Sequence, residues 1–125
     1  MRHMQHLPLW RDANALLLAI ERAVQHFPRY HKYALGTDLR RQAMGICRLV
    51  VRAYSDKARQ TEQVRRLVLA VDDLKVLIQL GKELQAFRRF DEFEAIARQA
   101  VDVGRQSGGW YRKGAGQPAP TGVPA

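Results

Sequence analysis

The sequence has one cysteine and no long apolar run, and each scarcity excludes a class of protein. Cys47 cannot form an internal disulfide, so the chain suits a reducing compartment. Its apolar neighbours favour a buried, inert thiol over a nucleophile. The best apolar run, ALLLAI at residues 15–20, is far shorter than the roughly 20 residues that span a bilayer. We expect a cytoplasmic protein without a membrane segment.

Catalytic and metal-binding motifs are also missing. The sequence has no phosphate-binding loop, no nucleophile elbow and no dinucleotide fingerprint. Adjacent helical residues diverge by about 100°, so Asp72 and Asp73 cannot act as a facing carboxylate pair. The histidines lack the Glu-x-x-His spacing of di-metal bundles; they are His3, His6, His26 and His31. We expect no catalytic residue, no metal site and no cofactor.

What the sequence does contain is apolar residues at helical spacing, without strand alternation. This spacing predicts helices at about residues 9–27, 38–55, 62–87 and 91–107. Pro28 should stop the first helix, and Thr37 should cap the second. Asp91 and Glu94 form a capping pattern for the fourth helix, which the GGW stretch at residues 108–110 should end. Short connections then predict an antiparallel up-and-down four-helix bundle.

The predicted bundle domain covers residues 9–113. Residues 1–8 are expected to be a flexible N-terminus, and the Pro/Gly-rich residues 114–125 a disordered tail. A polar stretch at residues 55–63 should contain the turn between the second and third helices. Gly81 on the core side of the third helix costs about 1 kcal/mol relative to alanine, which suggests that another helix approaches closely there.

The third predicted helix carries two apolar lines. One belongs to the core, and the second, on the opposite side, comprises Leu69, Val76, Leu80 and Phe87. A helix that is apolar on two sides must bury both, so we expect the second line to form a homo-oligomer interface. The alternative is that this helix is simply central within one domain.

Positive charge is concentrated in the first half of the chain. The protein has 21 Lys and Arg against 12 Asp and Glu, a net charge of +9. Residues 29–66 contain ten basic residues and three acids. On the second predicted helix, Arg41, Arg48 and Arg52 lie opposite the apolar face, and no acid follows Asp38. This segregation favours binding of a polyanion, RNA or DNA, over an ordinary solvated face of mixed charge.

The residues predicted to contact nucleic acid are basic, and most lie in the first half of the chain or at predicted helix ends. They are Arg29, Lys32, Arg40, Arg41, Arg48, Arg52, Arg59, Arg65, Arg66, Arg88, Arg89, Arg112 and Lys113.

The stretch FPRYHKYALG at residues 27–36 fits both a helix joint and a binding loop. Phe27 and Pro28 should close the first helix, while Tyr33 and Leu35 should plug the bundle end. Arg29, Lys32 and the neighbouring Tyr30 and His31 remain available to a polyanion. We expect the stretch to serve mainly as a joint, with the main binding surface on the second helix.

Four segments together resemble a known family. FPRYHKYALGTDLRR, LVVRAY, VDDLKVLIQLGKELQAF and FEAIARQAVDVGRQSGGWYRK, in this order across about residues 9–113, are similar to the accessory variability determinant proteins of diversity-generating retroelements. The motif F-P-x-x-x-[KR]-[YF]-x-L-G is shared with the wider group of four-helix bundles encoded within 23S ribosomal RNA genes. The patterns L-x-x-L-G/A-K-x-L and G-[RK]-x-x-G-G-W point to the first branch.

The resemblance implies a non-enzymatic basic bundle that assembles as a pentameric barrel. Such proteins bind the element's reverse transcriptase and template RNA, and they support mutagenic cDNA synthesis and retrohoming. By the resemblance, the second apolar line becomes a subunit interface and the arginines contact polymerase or RNA. Gly81, Ser107 and the tail depart from the family pattern in ways that could alter packing or ring size. The alternative is a stand-alone bundle of the ribosomal intervening-sequence type with a structural or ribosome-associated role.

Overall fold

The computed structural model describes residues 4–114, which form helices joined by short connections. The helices are α1 (Pro8–Val24), α2 (Arg29–Lys32), α3 (Leu35–Ser55), α4 (Gln60–Glu83) and α5 (Phe90–Arg112), with a 3₁₀ turn at Lys57–Arg59. No strand occurs within these residues. Apart from Gly114, the predicted tail at 114–125 lies outside the described residues, as do residues 1–3.

The four long helices pack antiparallel around one core, which confirms the predicted all-α four-helix bundle. Each long helix contacts the next in the order α1, α3, α4, α5, and α5 returns to α1. Two polar contacts mark this order. The Gln42 side-chain amide donates to the Ala70 carbonyl at 2.8 Å, and that of Gln106 donates to Asp12 at 2.7 Å. No helix in residues 4–114 is both long and apolar enough to cross a membrane.

The core consists of the apolar stripes that the helical period predicts. Val64, Leu67, Val71 and Leu74 of α4 are fully buried, and the matching stripes of α1 and α3 lie within the same cluster. Packing also reaches into the segment predicted to be flexible, because the Met4 side chain is only 1% exposed. The packed part of the chain therefore begins before residue 9.

The connection between α1 and α3 differs from its prediction. Helix α1 ends at Val24 rather than near Phe27, because the His26 and Phe27 amides donate to carbonyls three residues back at 3.0 and 3.1 Å. This tighter turn places Phe27 in the core at 5% exposure. The single-turn helix α2 then follows, at residues predicted to be a loop.

Helix α3 begins earlier than predicted, at Leu35. Thr37 therefore lies inside its first turn and makes no side-chain cap, so the predicted N-cap is wrong. The joint between α1 and α3 is tightly packed, because a Cβ atom on Gly36 would lie only 2.7 Å from a methyl carbon of Val24. Leu35 is buried as predicted, whereas Tyr33 is 70% exposed and does not plug the bundle end.

The turn between α3 and α4 lies within the predicted polar stretch. Asp56 stabilises it by accepting a hydrogen bond from the Arg59 backbone amide at 3.2 Å. Helix α4 starts at Gln60, whose buried side chain donates to the Ala53 carbonyl at 2.7 Å. The helix ends at Glu83, so its predicted extension to residue 87 is wrong.

Helix α5 extends five residues beyond its predicted end, to Arg112. Gly108, Gly109 and Trp110 are therefore helical and do not terminate it. The indole of Trp110 is buried and lies 4.8 Å from the Tyr54 ring, so tertiary packing outweighs the low helix propensity of the two glycines. At the other end, the predicted cap at Asp91 is also wrong, because Arg89 occupies the N-cap position without a side-chain hydrogen bond.

Aromatic contacts join the α1–α3 and α4–α5 connections at one end of the bundle. The Phe27 and Phe87 rings meet edge-on with centroids 5.2 Å apart, and Phe93 lies 5.7 Å from Phe87. Gly81 leaves room for this arrangement, since a Cβ there would lie 2.8 Å from a carbon of the Phe87 ring. Gly81 is therefore closely approached, but by the Phe87 side chain of the connection after α4 and not by a neighbouring helix as predicted.

Replacing Gly81 with alanine tests this packing. Gly81→Ala and the control Gly45→Ala gain the same helix propensity, but the Gly45 position meets only an Arg48 nitrogen at 3.9 Å. We expect Gly81→Ala to be about 1–3 kcal/mol less stable than Gly45→Ala, because the Phe87 ring must move. Urea denaturation of both variants at equal protein concentration measures the difference. Equal stabilities would contradict a tight contact.

The thiol of Cys47 offers a second test of the core. It is buried, as predicted, and burial raises its pKa to about 11. Because the thiolate is the reactive form, alkylation near pH 8 should be about 100-fold slower in the folded protein than in denaturant. Mass spectrometry after timed iodoacetamide treatment measures both rates. Comparable rates would show that the thiol is accessible in the folded state.

Candidate nucleic-acid interface

Three exposed arginines lie along the outer face of α3, and we call them the arginine row: Arg41, Arg48 and Arg52. The opposite face of the same helix supplies Leu39, Ile46 and other buried residues to the core. At 1.5 Å per residue, the row extends about 16 Å along the helix axis. The structure therefore brings these residues together on one face, as the sequence predicts.

The arginine row has no acidic counterpart within its own helix. Among residues 4–114, no acidic side chain lies within ion-pair distance of any of its three guanidinium groups. Asp38 is at the start of the helix, and Asp56, just after its end, pairs with Arg59 at 3.2 Å. The row is thus a local excess of positive charge that can attract phosphate groups.

Four of the predicted contacts are paired with carboxylates, namely Arg40, Arg59, Arg65 and Arg89. Arg40 lies at the α1 side of α3, where its guanidinium is 2.6 Å from a Glu21 oxygen. Arg65 makes two hydrogen bonds to Glu62, at 2.6 and 3.1 Å, and the bond from Arg65 is the main cause of the lowered Glu62 pKa. The Arg40–Glu21 and Arg65–Glu62 pairs are both solvent-accessible, so these two arginines remain accessible to a phosphate group.

A second basic group lies where α3 ends, α4 begins and α5 ends. It comprises Arg59, Arg65, Arg112 and Lys113, all exposed. The contact between Tyr54 and Trp110 places the end of α5 beside the end of α3. Burial of the Tyr54 side chain there raises its pKa to about 12, so its hydroxyl stays protonated.

A third basic group lies at the opposite end of the bundle. It comprises Arg29, Lys32, Arg88 and Arg89, which the contact between Phe27 and Phe87 brings to the same end. Lys32 is half-buried with its ammonium 5.9 Å from the centre of the Tyr33 ring, and Arg89 pairs with Asp91 at 3.2 Å. Arg29 and Arg88 are exposed.

The predicted basic residues therefore form no single site. They divide into the arginine row and the two end groups, with Arg40 and Arg66 outside these three sets. Arg66 is exposed on α4. The spacing of Glu62 and Arg65, three residues apart on a helix, could have identified their pairing in advance.

One residue at the end that carries Arg88 and Arg89 was not among the predicted site residues. Phe90 is 61% exposed, although its type is usually buried. Tyr30 at the same end is 86% exposed, in agreement with its expected availability. The two arginines directly before Phe90 could have indicated that this aromatic residue lies beside positive charge. Its position at the same end as Tyr30 follows only from the contact between the α1–α3 and α4–α5 connections.

The predicted oligomer line separates into two parts. Leu69, Val76 and Leu80 are 49%, 57% and 45% exposed on the outer face of α4, and we call them the apolar line. Phe87 differs, because it lies beyond the end of α4 and packs against Phe27 and Phe93 within the same chain. Its assignment to an outward apolar face is therefore corrected.

The described residues contain no cluster of metal-ligand type. Within residues 4–114, no three His, Cys, Asp or Glu side chains are grouped closely enough to hold a metal ion. A scan against protein-family models found no match, and a search of curated proteins found none either. The interpretation of this surface therefore depends on its own geometry and on the motifs in the sequence.

Proposed function

We propose that this chain is a non-enzymatic accessory protein of a diversity-generating retroelement. In this proposal it binds the element's reverse transcriptase and template RNA in the cytoplasm, and it supports mutagenic cDNA synthesis and retrohoming. It requires no cofactor. The observation that carries the proposal is the arginine row, a set of exposed guanidinium groups on one helix face without acidic partners.

Two further features support this proposal. The segments that resemble the accessory variability determinant family occupy the α1–α3 joint and parts of α3, α4 and α5, so they include three of the four long helices. The basic groups at the two bundle ends extend the positive surface beyond α3. Phosphate contacts from such residues give salt-sensitive binding that is largely independent of sequence.

The second candidate is a stand-alone bundle of the ribosomal intervening-sequence type. It is favoured by the FPRYHKYALG motif, which both branches share and which forms the joint between α1 and α3. Genomic neighbourhood distinguishes the two candidates. A nearby reverse transcriptase gene with a template and variable repeat pair supports the first, and a position inside a 23S ribosomal RNA gene supports the second.

Neutralising the arginine row tests RNA binding. The triple variant Arg41→Gln, Arg48→Gln, Arg52→Gln should bind a structured RNA at least about ten-fold more weakly near physiological salt. Its log–log salt slope should also become shallower, by roughly 2–3 for three lost phosphate contacts. Filter binding across a salt series measures both quantities.

A matched control separates the row from total charge. Arg11→Gln, Arg98→Gln, Arg105→Gln removes the same three charges from exposed positions on α1 and α5, outside all three basic groups. We expect this control to retain most of the affinity and the salt slope. Wild-type binding that is insensitive to salt, or equal losses in the two triple variants, would contradict a binding role for the row.

We further propose that the chain forms a homo-oligomer, by the resemblance a pentamer, through the apolar line. Leu69, Val76 and Leu80 are held outward by the burial of the opposite stripe of α4, so another subunit is needed to cover them. Arg65, Arg66, Asp72 and Asp73 are exposed on the same helix, so charges of both signs surround the line. An apolar centre with a polar rim of mixed charge suits a subunit contact.

Charge placed in the apolar line should dissociate the oligomer. We expect Leu69→Glu, Leu80→Glu to be monomeric in native mass spectrometry, because each substitution would bury an unpaired carboxylate at the interface. Leu18→Glu on α1 is the control, since Leu18 has the same 49% exposure as Leu69. A monomeric wild-type protein would exclude the proposed interface.

A further inference from the structure

Three exposed aromatic residues lie at the bundle end that carries the third basic group. Tyr30, Tyr33 and Phe90 are 86%, 70% and 61% exposed. Tyr30 follows Phe27 by three residues, and Phe90 follows Phe87 by three, while the Phe27 and Phe87 rings are in contact. Three residues span at most about 10 Å, so the backbones of Tyr30 and Phe90 both lie near the contact between Phe27 and Phe87.

Positive charge is interleaved with these rings. The two segments that meet at this end, residues 22–37 and 84–90, contain no aspartate or glutamate. Their basic residues are Arg22, Arg29, Lys32, Arg88 and Arg89. Only Arg89 of these five has a carboxylate partner among the described residues, the exposed Asp91 at 3.2 Å.

Phe90 is supported by the core, and Tyr30 lies against its neighbour His31. Phe90 is tilted against Phe93 with centroids 5.5 Å apart, and Phe93 packs in turn against Phe87 in the interior. The Tyr30 and His31 rings are nearly perpendicular with centroids 5.1 Å apart, and Tyr30 is 86% exposed. Each ring therefore has a face available to a planar partner.

We propose that this end of the bundle binds single-stranded RNA, with unpaired bases stacked on Tyr30 and Phe90 and phosphates held by Arg29, Lys32 and Arg88. We call it the aromatic end. The inference rests on the proposed RNA-binding function and adds the class of RNA and the mode of contact. Flat aromatic faces beside basic side chains recognise splayed bases, which a continuous duplex does not present.

Charge favours RNA over a protein partner at this surface. Residue type does not decide between the two partners, because arginine, tyrosine and phenylalanine are enriched at protein interfaces as well. Charge does, because five basic residues with one paired carboxylate, that of Asp91, would require an acidic protein partner. A polyphosphate chain with bases at regular intervals matches both the charge and the rings.

The test compares binding of single-stranded and duplex RNA, with substitutions at Tyr30 and at Phe90. Fluorescence anisotropy would measure wild-type and variant affinity for a short unstructured single-stranded RNA and for a blunt-ended duplex of the same length. We expect Tyr30→Ala and Phe90→Ala each to weaken single-strand binding about 5- to 100-fold. Duplex binding and the salt slope should stay unchanged, because no charge is removed.

Conservative and distant variants serve as controls. Tyr30→Phe and Phe90→Trp keep a stacking face and should retain single-strand affinity. Tyr111→Ala removes an aromatic that is 42% exposed at the other end of the bundle, and it should also have no effect. Thermal melting checks that both alanine variants remain folded, which their exposure favours.

The outcomes separate this inference from the proposed function. If wild-type protein binds RNA but the alanine variants bind single strands equally well, the aromatic end is not the contact, and the RNA-binding proposal stands. If wild-type protein binds neither RNA form, both fail. If the alanine variants lose reverse transcriptase binding while single-strand affinity is intact, the surface binds protein and the inference is overturned.

Discussion

The edge-on contact between Phe27 and Phe87 is the interaction on which one end of the structure depends. It joins two connections that are far apart in sequence, one after α1 and one after α4. To make it, α1 must end early in a tight turn, and α4 must stop at Glu83 so that the chain can turn Phe87 back over Gly81. The loops are consequently part of the core, and the exposed residues beside them have defined positions.

The bundle separates its surface by chemistry. The outer face of α3 is basic, while that of the adjacent, antiparallel α4 carries exposed leucines and a valine beside two aspartates. The face of α3 carries an excess of positive charge that attracts phosphate, whereas the charges on α4 are of both signs. The arginine row and the apolar line therefore lie on different helices.

Helical period was sufficient to predict the core and the arginine row. Both depend on which residues share a face, and a spacing of 3.6 residues determines that without knowledge of neighbouring helices. The buried stripe of α4 that contains Leu67 and Val71 is an example of the first, and the exposed arginine row of α3 is the second.

Helix ends and the aromatic end depend on tertiary contacts, and the sequence did not reveal them. Thr37 and Asp91 have side chains suited to capping, but α3 starts at Leu35 and α5 at Phe90, so both lie inside the first turn of their helix. Packing at Gly36 and at Phe93 accompanies these earlier starts. Burial of Trp110 likewise keeps two glycines helical. Phe87 looked like an outward residue only while α4 was assumed to continue through it.

The position of α3 between the two basic end groups sets a length scale. Its 21 residues correspond to about 32 Å, and basic residues precede it, line its outer face and follow it. One strand of a duplex advances about 3.4 Å per nucleotide, so a strand that followed the whole helix would cover about nine nucleotides. If the proposed RNA contact follows α3, the length of this one helix determines how many nucleotides it covers.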